Sequence, residues 1–254
     1  MLNLRDHPML VFLISFLTLW LSEKIAATYF RRHRKIQERS EDFGLILAAA
    51  LTLLGLIIGF SFSMAVTRYD QRKNYEEAEA NAIGTEYVRA ELLPAADAAR
   101  VRTLLLKYLD QRILYYTTRD EQRLAQIDAA TAQLQDELWS AVREPAAARP
   151  TPIAALVVSG MNDVLNSQGY TQAAWWNRIP VAAGLLMWAI AICCNLLLGY
   201  GARDANAQPI LLLALPLLVS ISFTLIADID SPRSGLINVH PQNMISLSES
   251  LHAH

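Results

Sequence analysis

Long apolar stretches alternate with polar, charged stretches along the chain, and this pattern predicts helices that cross a membrane. Crossing about 30 Å of hydrocarbon takes about 20 mostly apolar helical residues. Only the first qualifying stretch contains charged residues, Glu23 and Lys24, near its end. The four predicted spans are 8–30, 44–66, 180–201 and 209–227. They divide the chain into a first helix pair, a middle segment, a second pair and a tail, with bounds 1–66, 67–179, 180–227 and 228–254.

The polar middle segment has apolar residues at helical spacing, three or four positions apart. One stripe is Val101, Leu104, Leu105, Tyr108 and Leu109, and a second is Leu124, Ile127, Thr131, Leu134 and Leu138. The helix of the second span is expected to continue beyond the membrane and to end before Pro94. Pro145, Pro150 and Pro152 predict a stiff linker. We therefore predict an all-α integral membrane protein, with two transmembrane helix pairs flanking an extramembrane antiparallel helical bundle.

Composition supports a lipid environment. Of the 254 residues 53% are hydrophobic and 18% are charged, against about 45–50% and about 25% in soluble domains. The formal net charge of −2 argues against a nucleic-acid partner, which requires a basic surface. The adjacent Cys193 and Cys194 cannot form a disulfide framework. The expected partner is the lipid bilayer.

Basic residues in the short connections predict the orientation. The first connection carries Arg31, Arg32, Arg34, Lys35 and Arg39, and the third carries Arg203. The opposite side has only Arg5 and Arg233. Because basic loops stay in the cytoplasm, both termini and the bundle are expected outside it. Positive charge after the first span also favours a retained anchor over a cleaved signal peptide.

Small residues recur on the second span. Gly55, Gly59 and Ser63 follow one another at four-residue spacing. In lipid, such a ridge lets two helices approach closely. The ridge therefore predicts helix packing, either against another span of the same chain or between subunits.

The spans contain two charged residues, Glu23 and Lys24, and one carboxamide, Asn195. Glu23 and Lys24 point about 100° apart, so they do not pair with each other. Both are close enough to the span end to extend to the interface, and the functional alternative is that one faces a water-filled path. Asn195 is expected to make an interhelical hydrogen bond.

The tail begins with an acidic turn. Asp228, Asp230 and Arg233 surround Pro232, and we interpret them as a helix stop at the membrane surface. The alternative, a calcium loop, lacks the EF-hand spacing. The histidines are scattered, so no metal site is predicted, and no cofactor or catalytic motif is found. We expect no enzyme activity.

Two runs carry a family resemblance. They are EANAIGTEYVRA at 79–90 and DIDSPRSGL at 228–236. With the two-plus-two span layout, they resemble the bestrophin-like domain proteins of bacteria, over about residues 44–247. Bestrophins are pentameric anion channels whose second span lines the pore and whose helical region is cytoplasmic. The resemblance implies a homo-oligomer that conducts small anions in a bacterial inner membrane.

The resemblance also implies that an apolar row on the second span forms the constriction. Two rows have the required four-residue spacing: Ile58, Phe62 and Val66, or Leu56, Phe60 and Met64. The alternative function is a non-catalytic envelope scaffold or sensor that binds a partner through its bundle. A third possibility is a proton-coupled transporter that uses Glu23.

Overall fold

The computed structural model describes residues 7–33, 41–202 and 209–253, and within these ranges it contains helices and turns but no strand. Eight α-helices follow in chain order: α1 (Pro8–His33), α2 (Glu41–Arg89), α3 (Ala95–Thr117), α4 (Glu121–Ala148), α5 (Pro152–Trp176), α6 (Val181–Gly201), α7 (Pro209–Asp230) and α8 (Gln242–His252). A short 3₁₀ turn, Ala90–Leu92, follows α2. Four helical segments of these ranges are long and apolar enough to cross a membrane.

Helix α2 is continuous over 49 residues, which corresponds to about 74 Å at 1.5 Å per residue. This is more than twice the thickness of a hydrocarbon core. The predicted extension beyond the span is therefore confirmed. The helix ends where predicted, because Pro94 holds Leu93 in an extended conformation with a ψ of 164°.

The chain divides into two compact units. The first, called the membrane unit, comprises Met1–Arg68 and Arg178–Asn238, and the second, called the bundle unit, comprises Tyr69–Asn177 and Val239–His254. The predicted tail is thus divided between the two units. Of the basic residues used to predict orientation, Arg5, Arg34, Lys35, Arg39 and Arg203 lie outside the described residues.

In the membrane unit, α1 packs against both α6 and α7. Gly199 sets the distance between α1 and α6: a Cβ atom at this position would lie 2.2 Å from the backbone oxygen of Glu23 and 2.9 Å from the Cβ of Ala26. A side chain at residue 199 would therefore force the two helices apart. No pattern in the sequence marks this glycine.

In the bundle unit, α4 packs between α3 and α5, and α8 packs against α3. Both predicted stripes face the core. The residues of the first stripe are all buried, and in the second Ile127, Thr131 and Leu138 are buried while Leu124 and Leu134 pack against the core. The residues that α5 contributes are Val157, Met161, Val164 and Trp175.

Two expectations for the bundle unit need correction. Pro145 lies inside α4, which continues to Ala148, so the linker is shorter than predicted. Helix α8 was not predicted at all. Its N-terminus is held by Glu76, which accepts hydrogen bonds from the backbone N–H of Met244 at 3.0 Å and from Nδ2 of Asn243 at 2.6 Å. A carboxylate placed there stabilises the helix, because the N-terminal N–H groups carry partial positive charge.

Candidate pore helix and buried charges

The membrane segment of α2 is the least buried of the candidate spans, since only 6% of its most apolar window is buried. Leu54, Ser61 and Ala65 are buried and form one stripe along the helix. Most of the remaining circumference is apolar and exposed in the described part of the chain. Such a surface in a membrane contacts lipid or another subunit.

Both rows of candidate pore residues lie outside the stripe of Leu54, Ser61 and Ala65. Leu56, Phe60 and Met64 are all exposed. In the other row Phe62 is exposed, while Ile58 and Val66 are half-buried. Which row lines a pore stays a prediction.

The small residues lie between these two rows. At about 100° per residue, Gly55, Gly59 and Ser63 occupy the sector that separates the Ile58 row from the Leu56 row. A Cβ built on either glycine meets no atom within 4 Å, and Ser63 is exposed. Packing of the two glycines against another span of the same chain is therefore wrong for the residues described. Packing between subunits stays a prediction.

The polar residues of α1 and α6 differ from expectation. Glu23 is fully buried and neither carboxylate oxygen has a hydrogen-bond partner, so it does not extend to the interface. Lys24 is half-buried. Asn195 is fully buried, and its Nδ2 donates to the carbonyl of Ala191 on its own helix at 2.8 Å. The interhelical hydrogen bond predicted for Asn195 is not formed with any described residue, because its Oδ1 has no partner.

The acidic turn after α7 uses its carboxylates to hold backbone. Asp228 accepts hydrogen bonds from the N–H groups of Leu236 at 2.8 Å and Ile237 at 2.9 Å. Gly235 has a φ of +106°, and a Cβ there would lie 1.9 Å from Oδ1 of Asp228, so only glycine fits. The turn closes because Asp228 accepts these two N–H groups and because Gly235 leaves room for the Asp228 carboxylate.

Asp230 ends α7 and also holds a second segment. Both of its carboxylate oxygens accept the N–H of Ile179, each at 3.1 Å. Arg233 lies half-buried in the same turn. These contacts support the interpretation of a helix stop over a calcium loop, because the carboxylate oxygens are already used by N–H groups.

The bundle unit contains a buried ion pair that the sequence analysis missed. Nε of Arg112 lies 2.5 Å from Oε1 of Glu79, both side chains are fully buried, and Thr171 donates to Oε2 of Glu79 at 2.8 Å. The Arg112 guanidinium also covers the ring of Tyr115 at 4.5 Å. No sequence signal joins Glu79 and Arg112, because they are 33 residues apart.

Burial and the charge of Glu79 together shift the pKa of three neighbouring side chains. Burial raises the pKa of Tyr108 and of Tyr116, and the charge of Glu79 raises both further. Burial by itself lowers the pKa of Arg112, but the Glu79 carboxylate reverses this effect and raises it overall. The Arg112 guanidinium is therefore charged at any physiological pH.

Glu86 is another buried carboxylate of the bundle unit, and it has no hydrogen-bond partner. It packs against Gly160, where a Cβ would lie 2.0 Å from Oε2 of Glu86 and 2.6 Å from Nη1 of Arg89. Burial raises the pKa of Glu86 to about 8, with Arg89 opposing the shift and Asp163 adding to it. Glu86 is therefore largely protonated at neutral pH.

Solved structures share this fold. A substituted form of a bacterial bestrophin homologue from Klebsiella pneumoniae matches 94% of this chain and 97% of that chain, with a TM-score of 0.70 and 13% identity. Another structure of the Klebsiella homologue matches 96% and 97%, with a TM-score of 0.68 and 15% identity. At such identities the likeness shows the fold alone. No curated protein matches the chain.

A family model provides the assignment that structural likeness alone does not. The model of the Bestrophin-like domain matches residues 9–244, which include both helix pairs, the bundle and the acidic turn. The chain therefore belongs to the Bestrophin-like domain family of membrane proteins.

Proposed function

We propose that this protein is an oligomeric channel for small anions, with α2 lining its pore. The observation that carries the proposal is the uncovered, uncharged apolar surface of α2 within a chain of bestrophin fold. A monomer would leave this surface to lipid, whereas a ring of subunits uses it both for packing and for the pore.

The small-residue ridge is the proposed contact between neighbouring subunits. Gly55, Gly59 and Ser63 leave open space that a second helix can enter. Association in lipid depends on such close van der Waals packing, because burial of apolar surface gains little there.

The constriction is assigned to Leu56, Phe60 and Met64. All three are exposed, and they lie on the opposite side of the ridge from the Ile58 row. A ring of such side chains forms a hydrophobic constriction that controls conduction by dewetting. Residues 44–66 carry no charge, so anion selectivity does not come from a charged ring at this level. The expectation of anions rests on the resemblance to bestrophins.

The proposed location is the inner membrane of a bacterium, with the bundle and both termini outside the cytoplasm. This orientation rests on the distribution of arginine and lysine in the short connections.

Flux from liposomes tests the channel, with two matched phenylalanine variants. Phe60 and Phe62 lie on opposite sides of the ridge, so Phe60→Ala should increase halide flux severalfold and Phe62→Ala should leave it near the wild-type value. The reverse result would assign the pore lining to Ile58, Phe62 and Val66. A stable wild-type oligomer without flux refutes the channel, and flux of cations alone refutes the anion assignment.

A second experiment tests the subunit contact. Gly59→Leu should reduce the oligomer to monomers in size-exclusion chromatography with light scattering, because leucine fills the space for the neighbouring helix. Gly169→Leu is the control, since Gly169 also has open space but lies on α5 of the bundle unit. A wild-type-sized oligomer of the Gly59 variant would refute the proposed contact.

A further inference from the structure

Three helices of the membrane unit carry fully buried oxygen-bearing side chains without hydrogen-bond partners for these oxygens. They are Glu23 on α1, Asn195 on α6 and Ser220 on α7. The orphaned atoms are both carboxylate oxygens of Glu23, Oδ1 of Asn195 and Oγ of Ser220. Buried polar atoms are nearly always paired, so these four atoms require an explanation.

Helices α1 and α6 run in the same direction, so Glu23 and Asn195 lie at neighbouring levels of the two helices. Val11 and Leu185 line one cavity near the start of the two helices, and the rings of Phe30 and Tyr200 meet at 4.8 Å near their ends. The backbone oxygen of Glu23 faces Gly199.

Asn195 lies one turn before Gly199 on the same face of α6. Side chains on a helix point back toward its N-terminus. The Glu23 carboxylate and the Asn195 amide therefore both lie on the N-terminal side of the contact at Gly199, along the boundary between α1 and α6.

Helix α7 brings Ser220 toward the same region. It runs opposite to α6, because Asp230 binds the N–H of Ile179 and the rings of Phe223 and Trp188 are 5.9 Å apart. Ser220 lies about one turn before Phe223, and hence on the Asn195 side of that ring contact.

The groups at this boundary carry more acceptor oxygens than donors. An ionised carboxylate only accepts, and one of the two N–H groups of the Asn195 amide donates to Ala191 at 2.8 Å. The second N–H group of Asn195 and the Ser220 hydroxyl are the remaining donors. Lys24 follows Glu23 directly and points about 100° away from it.

No other charged residue faces Glu23 from the packed helices. Residues 181–201 and 209–227 carry none, and the titratable residues in the second half of α6 are Cys193, Cys194 and Tyr200. An unpaired carboxylate in such surroundings is costly, so a positive charge is required.

We propose that Glu23, Asn195 and Ser220 form a site for one monovalent cation inside the membrane unit. The cation is either a proton, which turns Glu23 into a donor toward Oδ1 of Asn195, or an alkali metal ion coordinated by these oxygens. Oxygen ligands suit hard cations. The described residues contain no cluster of three or more histidine, cysteine, aspartate or glutamate side chains, which argues against a transition metal. The site does not depend on channel activity.

Thermal unfolding of the purified full chain in detergent tests the alkali-ion form. At equal ionic strength and pH, replacing choline by sodium, potassium or lithium should raise Tm by several degrees, because an ion that binds only the folded state stabilises it. Glu23→Gln should abolish the increase. Glu144→Gln, on an exposed side chain of the bundle unit, should retain it. Asn195→Leu should weaken the apparent affinity at least tenfold.

Infrared spectroscopy tests the proton form. The wild type and Glu144→Gln should show the carbonyl band of a protonated carboxylic acid at neutral pH. In Glu23→Gln this band should be weaker, because the contribution of Glu23 is lost. The comparison of Tm in choline with Tm in alkali salts needs only the wild type. It therefore still tests binding of an alkali ion if Glu23→Gln fails to fold. For the proton form, Asn195→Leu should then shift the band. A wild type without alkali-ion dependence, and without a band assignable to Glu23, would overturn the site.

Discussion

Replacement of Glu86 by glutamine should make the protein more stable at neutral and alkaline pH. Glutamine has nearly the same shape as glutamate, so the contact with Gly160 is retained, but it carries no charge to bury. Glu86 has no hydrogen-bond partner for either oxygen. Ionisation in the folded state is therefore costly, and this cost underlies the raised pKa.

The sign and size of the effect follow from the pKa in each state. Between the ordinary value of 4.5 and the folded value of about 8, the folded protein keeps a proton that the unfolded chain releases. The folded state then binds more protons, so the free energy of unfolding decreases as pH rises. The slope is about 1.4 kcal/mol per pH unit. From about pH 5 to about pH 7, the wild type should lose on the order of 2–3 kcal/mol relative to the variant.

Thermal unfolding in detergent at several pH values measures this difference. The Tm of Glu86→Gln minus that of the wild type should increase from about pH 5 and level off above about pH 8. Glu144→Gln serves as the control, since Glu144 is exposed and pairs with Arg100 at 3.5 Å, and it should give an offset without this slope. A Tm difference for Glu86→Gln that stays constant over this range would refute the reasoning.

Three further changes have defined outcomes. Gly199→Leu should lower the Tm of the membrane unit by many degrees or prevent folding, because a Cβ there lies 2.2 Å from a backbone oxygen of α1. Arg112→Met should cost about 3–5 kcal/mol, measured by denaturant unfolding, because its carboxylate partner is left buried and unpaired. Ala129→Cys, in a chain with Cys193 and Cys194 replaced by alanine, should react with an impermeant maleimide on intact cells. Reaction only after permeabilisation would place the bundle in the cytoplasm, as in bestrophins.

The sequence by itself determined the spans and the core of the bundle. A span is a property summed over about 20 neighbouring residues, so one charged residue such as Glu23 does not hide it. The stripes of α3 and α4 were also predictable, because helical geometry turns a spacing of three and four residues into one face. The end of α2 before Pro94 follows from local backbone sterics.

Tertiary structure decided which small and charged residues meet. Gly55, Gly59 and Gly199 look alike in sequence, yet only Gly199 has another helix of the same chain against it. The ion pair of Glu79 with Arg112 and the capping of α8 by Glu76 join residues far apart in sequence. Their energies depend on distance and burial, which vary steeply in space and leave no periodic trace along the chain. Local patterns therefore specify the helices, whereas the contacts that give the buried charges their properties exist only after those helices pack.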